Sequence, residues 1–132
     1  MRDFDTDTLR AITAFEDITK TEVRDCVKGE TLYFLVSPGK AGKAIGKDGM
    51  AVKTAEKLLQ KPIKIFEWDE NTEQFIKNLI PAARKIELSA DSAVVSVESK
   101  MKGKVIGKDG TNIDALRAFL ERNNNIKSLK II

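Results

Sequence analysis

A chain of 132 residues, 42% apolar and with a net charge of +3, holds one ordinary domain or two very small ones and is too apolar to be disordered. It has no histidine and one cysteine, Cys26, which argues against zinc chemistry, Cys-His or Ser-His catalysis and an internal disulfide, and favours a reducing, cytoplasmic setting. The longest apolar run is Leu32 to Val36, so neither a membrane span nor a secretory signal core is expected.

The spacing of Leu9, Ile12 and Phe15 predicts an amphipathic helix over residues 6–17. Two β-rich runs follow, 22–28 and 31–37, separated by the hairpin signal Gly29-Glu30. Cys26 lies in the first run and reads as a buried, inert thiol. After a glycine-rich stretch comes a helix with Ala51, Ala55, Leu58 and Leu59 on one face, then a strand over 63–68. Asp69-Glu70-Asn71 offers capping residues for a helix over 72–80, with Phe75, Ile76 and Leu79 apolar and Pro81 as its stop. Strands over 84–89 and 93–99 flank the turn Ala90-Asp91-Ser92. A second glycine-rich stretch leads to a helix with Ile113, Leu116 and Leu120 on one face, Phe119 beside them, and a last strand over 126–132.

These elements form a repeat. GKAIGKDGMAVKTAEKLL (42–59) aligns without a gap on GKVIGKDGTNIDALRAFL (103–120) at an offset of 61. Each half reads helix, strand, strand, short helix, glycine loop, helix, strand, giving an α+β chain of two units, 1–68 and 69–132. Charge follows a related rhythm: residues 31–65 carry 7 basic and 2 acidic side chains and residues 99–132 carry 8 and 3, while the blocks preceding them are net acidic. Two local sites for an anionic partner fit this pattern, and so do solvated lysine-rich helices.

Gly46-Lys47-Asp48-Gly49 and Gly107-Lys108-Asp109-Gly110 each join a short helix to a longer one. Two glycines three apart let the chain turn sharply and leave little side chain between backbone and ligand. The helix that follows opens with N–H groups and a positive dipole end, which suits a phosphate. Lysine inside the loop adds charge. Such a loop can hold a sugar-phosphate backbone, with bases in the adjoining groove.

With Ile45 and Ile106 before them, the two loops resemble the I-G-K-x-G signature of the KH family. The element order is similar to the type II arrangement, in which helices pack on one face of a small three-stranded mixed sheet. The junction Lys64-Ile65-Phe66-Glu67-Trp68-Asp69, followed by Phe75-Ile76-Lys77-Asn78 and Pro81-Ala82, resembles the passage between the tandem KH domains of the NusA family, in its short archaeal form. That form has the KH pair alone, without the polymerase-binding and OB-type domains of bacterial members. The resemblance implies a monomeric, cofactor-free and non-catalytic factor in transcription elongation or termination, with single-stranded RNA as partner and RNA polymerase as a second candidate. It puts the RNA-binding residues at Lys43, Ile45, Gly46, Lys47, Asp48, Gly49 and Lys53 in the first unit. In the second they are Lys104, Ile106, Gly107, Lys108, Asp109 and Gly110.

Other readings fit less well. A nucleotide-binding P-loop needs four residues between its glycines and a hydroxyl after the lysine; Gly42 and Gly46 have three between them, and Asp48 follows Lys47. A single aspartate per loop, Asp48 or Asp109, makes a poor metal cage. An RRM would carry stacking aromatics on its strands, whereas most aromatics here sit at core spacing. The groove wall would then be aliphatic: Ile45, Met50 and Val52, then Ile106 and Ile113, each of which could equally be core. The alternative function for the same module is a ribosome-associated KH protein in ribosome structure or assembly.

Overall fold

The computed structural model describes residues 4–132 and divides into two compact units, Met1–Trp68 and Asp69–Ile132. The first begins with α1 (Thr6–Thr19), capped by Asp5, whose side chain accepts the Thr8 N–H at 2.7 Å. It ends two residues later than the apolar spacing suggests. Lys20 then adopts a left-handed conformation and its N–H closes on the Glu16 carbonyl. The antiparallel pair β1 (Val23–Lys28) and β2 (Leu32–Val36) sets Cys26 opposite Phe34. Its connection is the three residues Gly29, Glu30 and Thr31, longer than the expected two-residue turn.

From β2 the chain passes through α2 (Ala41–Ile45) and α3 (Met50–Leu59) to β3 (Ile63–Glu67), which pairs with β2 in parallel. A parallel return needs such a helical crossover. The core sits between helices and sheet. Phe15 stacks on Phe34 with ring centres 4.0 Å apart, and Ala11, Ile12, Cys26, Leu32, Val36, Ala44, Ala55 and Ile63 surround the pair.

The second unit repeats this order: α4 (Thr72–Leu79), β4 (Lys85–Ser89), β5 (Ser92–Ser96), α5 (Ser99–Ile106), α6 (Thr111–Asn124) and β6 (Ser128–Ile131). β4 and β5 are antiparallel, and β6 runs parallel to β5 with Leu129 opposite Ala93. Asn71 caps α4 by accepting the Gln74 N–H at 2.9 Å. At the far end of α6, the Asn124 amide donates to the Asp69 carbonyl and the Thr72 hydroxyl, tying it to the start of α4. Ile113, Leu116, Phe119 and Leu120 are all buried, as their spacing requires. Each unit is therefore α+β: a small three-stranded mixed sheet with helices packed beside it, the arrangement of tandem KH domains.

Several expectations need correction. Ser92 pairs with Ser89, so the β4–β5 turn is Ala90-Asp91 alone, with Ala90 at φ 50°. β5 stops at Ser96 because α5 starts at Ser99, and β6 starts only at Ser128 because the Ile126 N–H still bonds the Leu120 carbonyl of α6. Leu58, assigned to the buried face of α3, is 63% exposed. That helix packs along Val52, Ala55 and Leu59, a line at i, i+3 and i+7, which turns Leu58 outward. Leu9 of α1 is likewise turned out, because Ala11, Ile12 and Phe15 form the buried line.

Candidate nucleic-acid interface

The two glycine loops have the same backbone. Gly46 lies at φ 82°, ψ 168° and Gly107 at φ 78°, ψ 171°. A single 3-10 turn follows in each, Lys47–Gly49 and Lys108–Gly110. Within it Asp48 (φ 55°) and Asp109 (φ 56°) are left-handed, as are Gly49 (φ 72°) and Gly110 (φ 75°). Aspartate tolerates that region better than most side chains, so the acid in GKDG fits the turn for a conformational reason.

The two glycines of each loop are glycine for different reasons. A methyl group on Gly46 would come within 2.7 Å of both the backbone nitrogen and the Cβ of Ala51, and one on Gly107 within 2.8 Å of Asn112 Cβ. The short helix is thus pressed against the first turn of the next. Gly49 and Gly110 have no such crowding and need glycine only for their positive φ.

Inside the turn, the Gly46 N–H donates to the Gly42 carbonyl, Gly49 to Gly46 and Met50 to Lys47. The Lys47 and Asp48 amides are outside this set. The second loop is wired alike, Gly107 to Gly103, Gly110 to Gly107 and Thr111 to Lys108. Asp5 and Asn71 cap α1 and α4, but no side chain caps α3 or α6. The helices behind the loops therefore keep the positive ends of their dipoles without a side-chain cap, with Lys47 and Lys108 exposed in the turns before them. An uncapped helix end, loop amides and a lysine are the elements of an anion site.

Each predicted site residue falls on this frame. Lys43 and Ile45 lie on α2 and Lys104 and Ile106 on α5, immediately before the loops; Lys53 lies one turn into α3, exposed. Ile45 and Ile106 are 42% and 38% exposed, too open for core residues and suitably placed for an apolar wall. Met50 is also exposed. Val52 is half-buried against the core and Ile113 is fully in it, so neither belongs to that wall. The loops bring each set of residues together within its own unit.

Two residues at this site are not singled out by the motif. Asn112, buried, donates from Nδ2 to the Val105 carbonyl at 2.8 Å and braces α5 against α6; Ala51 occupies its place in the first unit. Asp114 stands where the first unit has Lys53. Both differences are visible at the offset of 61, but motif matching attends to identities. Among the described residues no cluster of histidine, cysteine, aspartate or glutamate could hold a metal ion, and no helix is long and apolar enough to cross a membrane.

No family model matches the chain. It is 34% identical to the probable transcription termination protein NusA of Halococcus morrhuae, over 93% of this chain and 93% of that one. It is 30% identical to the protein of the same name from Methanocaldococcus jannaschii, over 96% of this chain and 73% of that one. Among solved structures, the crystal structure of APE1850 superposes with a TM-score of 0.76 at 30% identity, covering 98% of this chain and all of that one. With 30–34% identity over nearly all of this chain and 73–93% of archaeal relatives that bear the name, the chain belongs to the archaeal NusA family.

Proposed function

We propose that this protein is a NusA-type transcription factor that binds single-stranded RNA, each GKDG loop holding a stretch of its sugar-phosphate backbone. The observation that carries the reading is the duplicated loop: two turns of matching φ and ψ, each placing an exposed lysine at the uncapped start of a helix. A phosphate there would accept hydrogen bonds from loop amides and meet Lys47 or Lys108, while Lys43 and Lys104 supply further charge. Ile45 and Ile106, exposed at the ends of the preceding helices, give the bases an apolar surface.

Such a protein works by binding and needs no reaction step or cofactor. The relatives' name, probable transcription termination protein NusA, supports nascent RNA as the ligand and RNA polymerase as a neighbouring partner; in this reading the acting form is a monomer in the cytoplasm. Filter binding of the intact chain to matched single-stranded and duplex RNA tests the reading. Single strands should bind more tightly, with an affinity that falls with salt at a slope of about 0.7 per neutralised phosphate. Equal or tighter binding to duplex would overturn it.

A further inference from the structure

We infer that the two loops are unequal phosphate sites and that the residue one turn into the following helix makes them so. Lys53 gives the first loop an extra phosphate contact, and Asp114 withholds it from the second. This rests on the RNA-binding reading above and goes beyond it by assigning the stronger backbone anchor to the first unit.

The two positions are structural equivalents, 61 residues apart in the aligned repeat and at the same step of α3 and α6. Both side chains reach back towards their loop. Built on Gly49, a methyl group would lie 3.7 Å from Lys53 Cε; on Gly110 it would lie 4.0 Å from Asp114 Oδ2. The aliphatic stem of Lys53 thus lies along the glycine that closes the first loop, two residues after Lys47. A phosphate held by the loop amides would meet two lysines there.

In the second unit the same place holds a carboxylate. Asp114 is exposed, and the cation facing it is Arg117, at 3.7 Å. That guanidinium is directed to the Leu129 carbonyl by two shorter bonds, 3.1 and 3.3 Å, so it compensates Asp114 only in part. A phosphate at the second loop would be attracted by Lys104 and Lys108 and repelled by Asp109 and Asp114. The equivalent four positions at the first loop are Lys43, Lys47, Asp48 and Lys53, so the excess of positive charge is there. The Asn112 brace gives the second loop a fixed shape without adding charge. The second unit is thereby suited to contacts governed more by the base and less by the phosphate.

An acid in the first turn of a helix also stabilises that helix through its dipole, so Asp114 has a structural role to be separated from this one. The test uses the full chain and a fluorescently labelled single-stranded oligouridylate, with affinity measured across a salt series. Lys53→Asp should weaken binding about tenfold, equivalent to about 1.4 kcal/mol. Asp114→Lys should tighten it several-fold and steepen the salt slope by about 0.7, one added phosphate. A purely structural Asp114 predicts instead a lower melting temperature for Asp114→Lys with affinity and slope unchanged, which would overturn the inference. Lys47→Asp/Lys108→Asp in the same assay separates the two levels: if it weakens binding while the Lys53 and Asp114 variants do nothing, the loops bind RNA but are equal. If it too does nothing, the RNA-binding reading itself fails.

Discussion

Gly46→Ala is predicted to be far more damaging than Gly49→Ala, although both glycines have positive φ and stand three residues apart. At φ 82°, ψ 168° Gly46 occupies a region that is essentially glycine-only, where a side chain costs about 1–3 kcal/mol. Its added methyl would also lie 2.7 Å from the Ala51 nitrogen, and a backbone atom in the first turn of α3 cannot swing aside. The helix pair would have to part, taking Ala44, fully buried on α2, away from the core. The combined cost is about 3 kcal/mol or more. Gly49 sits in the left-handed helical region and its added methyl would meet only Lys53 Cε, at an ordinary 3.7 Å, so alanine there costs about 1–2 kcal/mol. With an m-value of about 1 kcal/mol/M for a unit this small, urea midpoints should fall by about 3 M for Gly46→Ala and about 1–2 M for Gly49→Ala. Equal shifts, or a larger one for Gly49→Ala, would show that the close approach of α2 to α3 does not constrain the loop.

Three further outcomes are expected. Phe15→Ala removes a fully buried ring stacked on Phe34 and should cost about 3–5 kcal/mol by chemical denaturation, with the loss of the first unit's signals before those of the second. The Thr8 N–H and hydroxyl hold the Asp5 carboxylate below its usual pKa of 3.8. Its contribution to α1 is therefore present above that value and lost as pH falls through the lowered one, and Asp5→Asn should flatten the acid limb of a thermal stability profile while keeping the cap. Lys47→Asp/Lys108→Asp should weaken single-stranded RNA binding at least tenfold, or about 1.4 kcal/mol, with the far-ultraviolet circular dichroism of the native chain, because both side chains are exposed at loop tips.

Much of this architecture is legible in the sequence because the chain states it twice. Periodicity marks the helices and strands, and the gapless match at an offset of 61 identifies the loops and the order of elements around them. Where two chemistries compete for the same residue, the sequence is less informative. Leu58 and Leu9 satisfy helical spacing for the core, yet the buried faces of α3 and α1 pass to one side of them. Ile45 and Ile113 are both isoleucines near a loop; one is exposed and the other is core, a distinction that depends on which side of each helix meets the rest of the unit. Turn lengths depend on strand register, which is why Ser92 joins β5 and Thr31 joins the first hairpin loop. The clash that demands Gly46 is invisible in one dimension, since it comes from Ala51 on the next helix.

The central claim, that RNA backbone lies on the two GKDG loops, is tested most directly by titrating the isotopically labelled full chain with single-stranded RNA and following its amide resonances by NMR. The largest shifts should fall on residues 46–49 and 107–110 and on the first turns of α3 and α6, with smaller ones at Ile45 and Ile106. Shifts gathered elsewhere, with both loops silent at saturation, would contradict it.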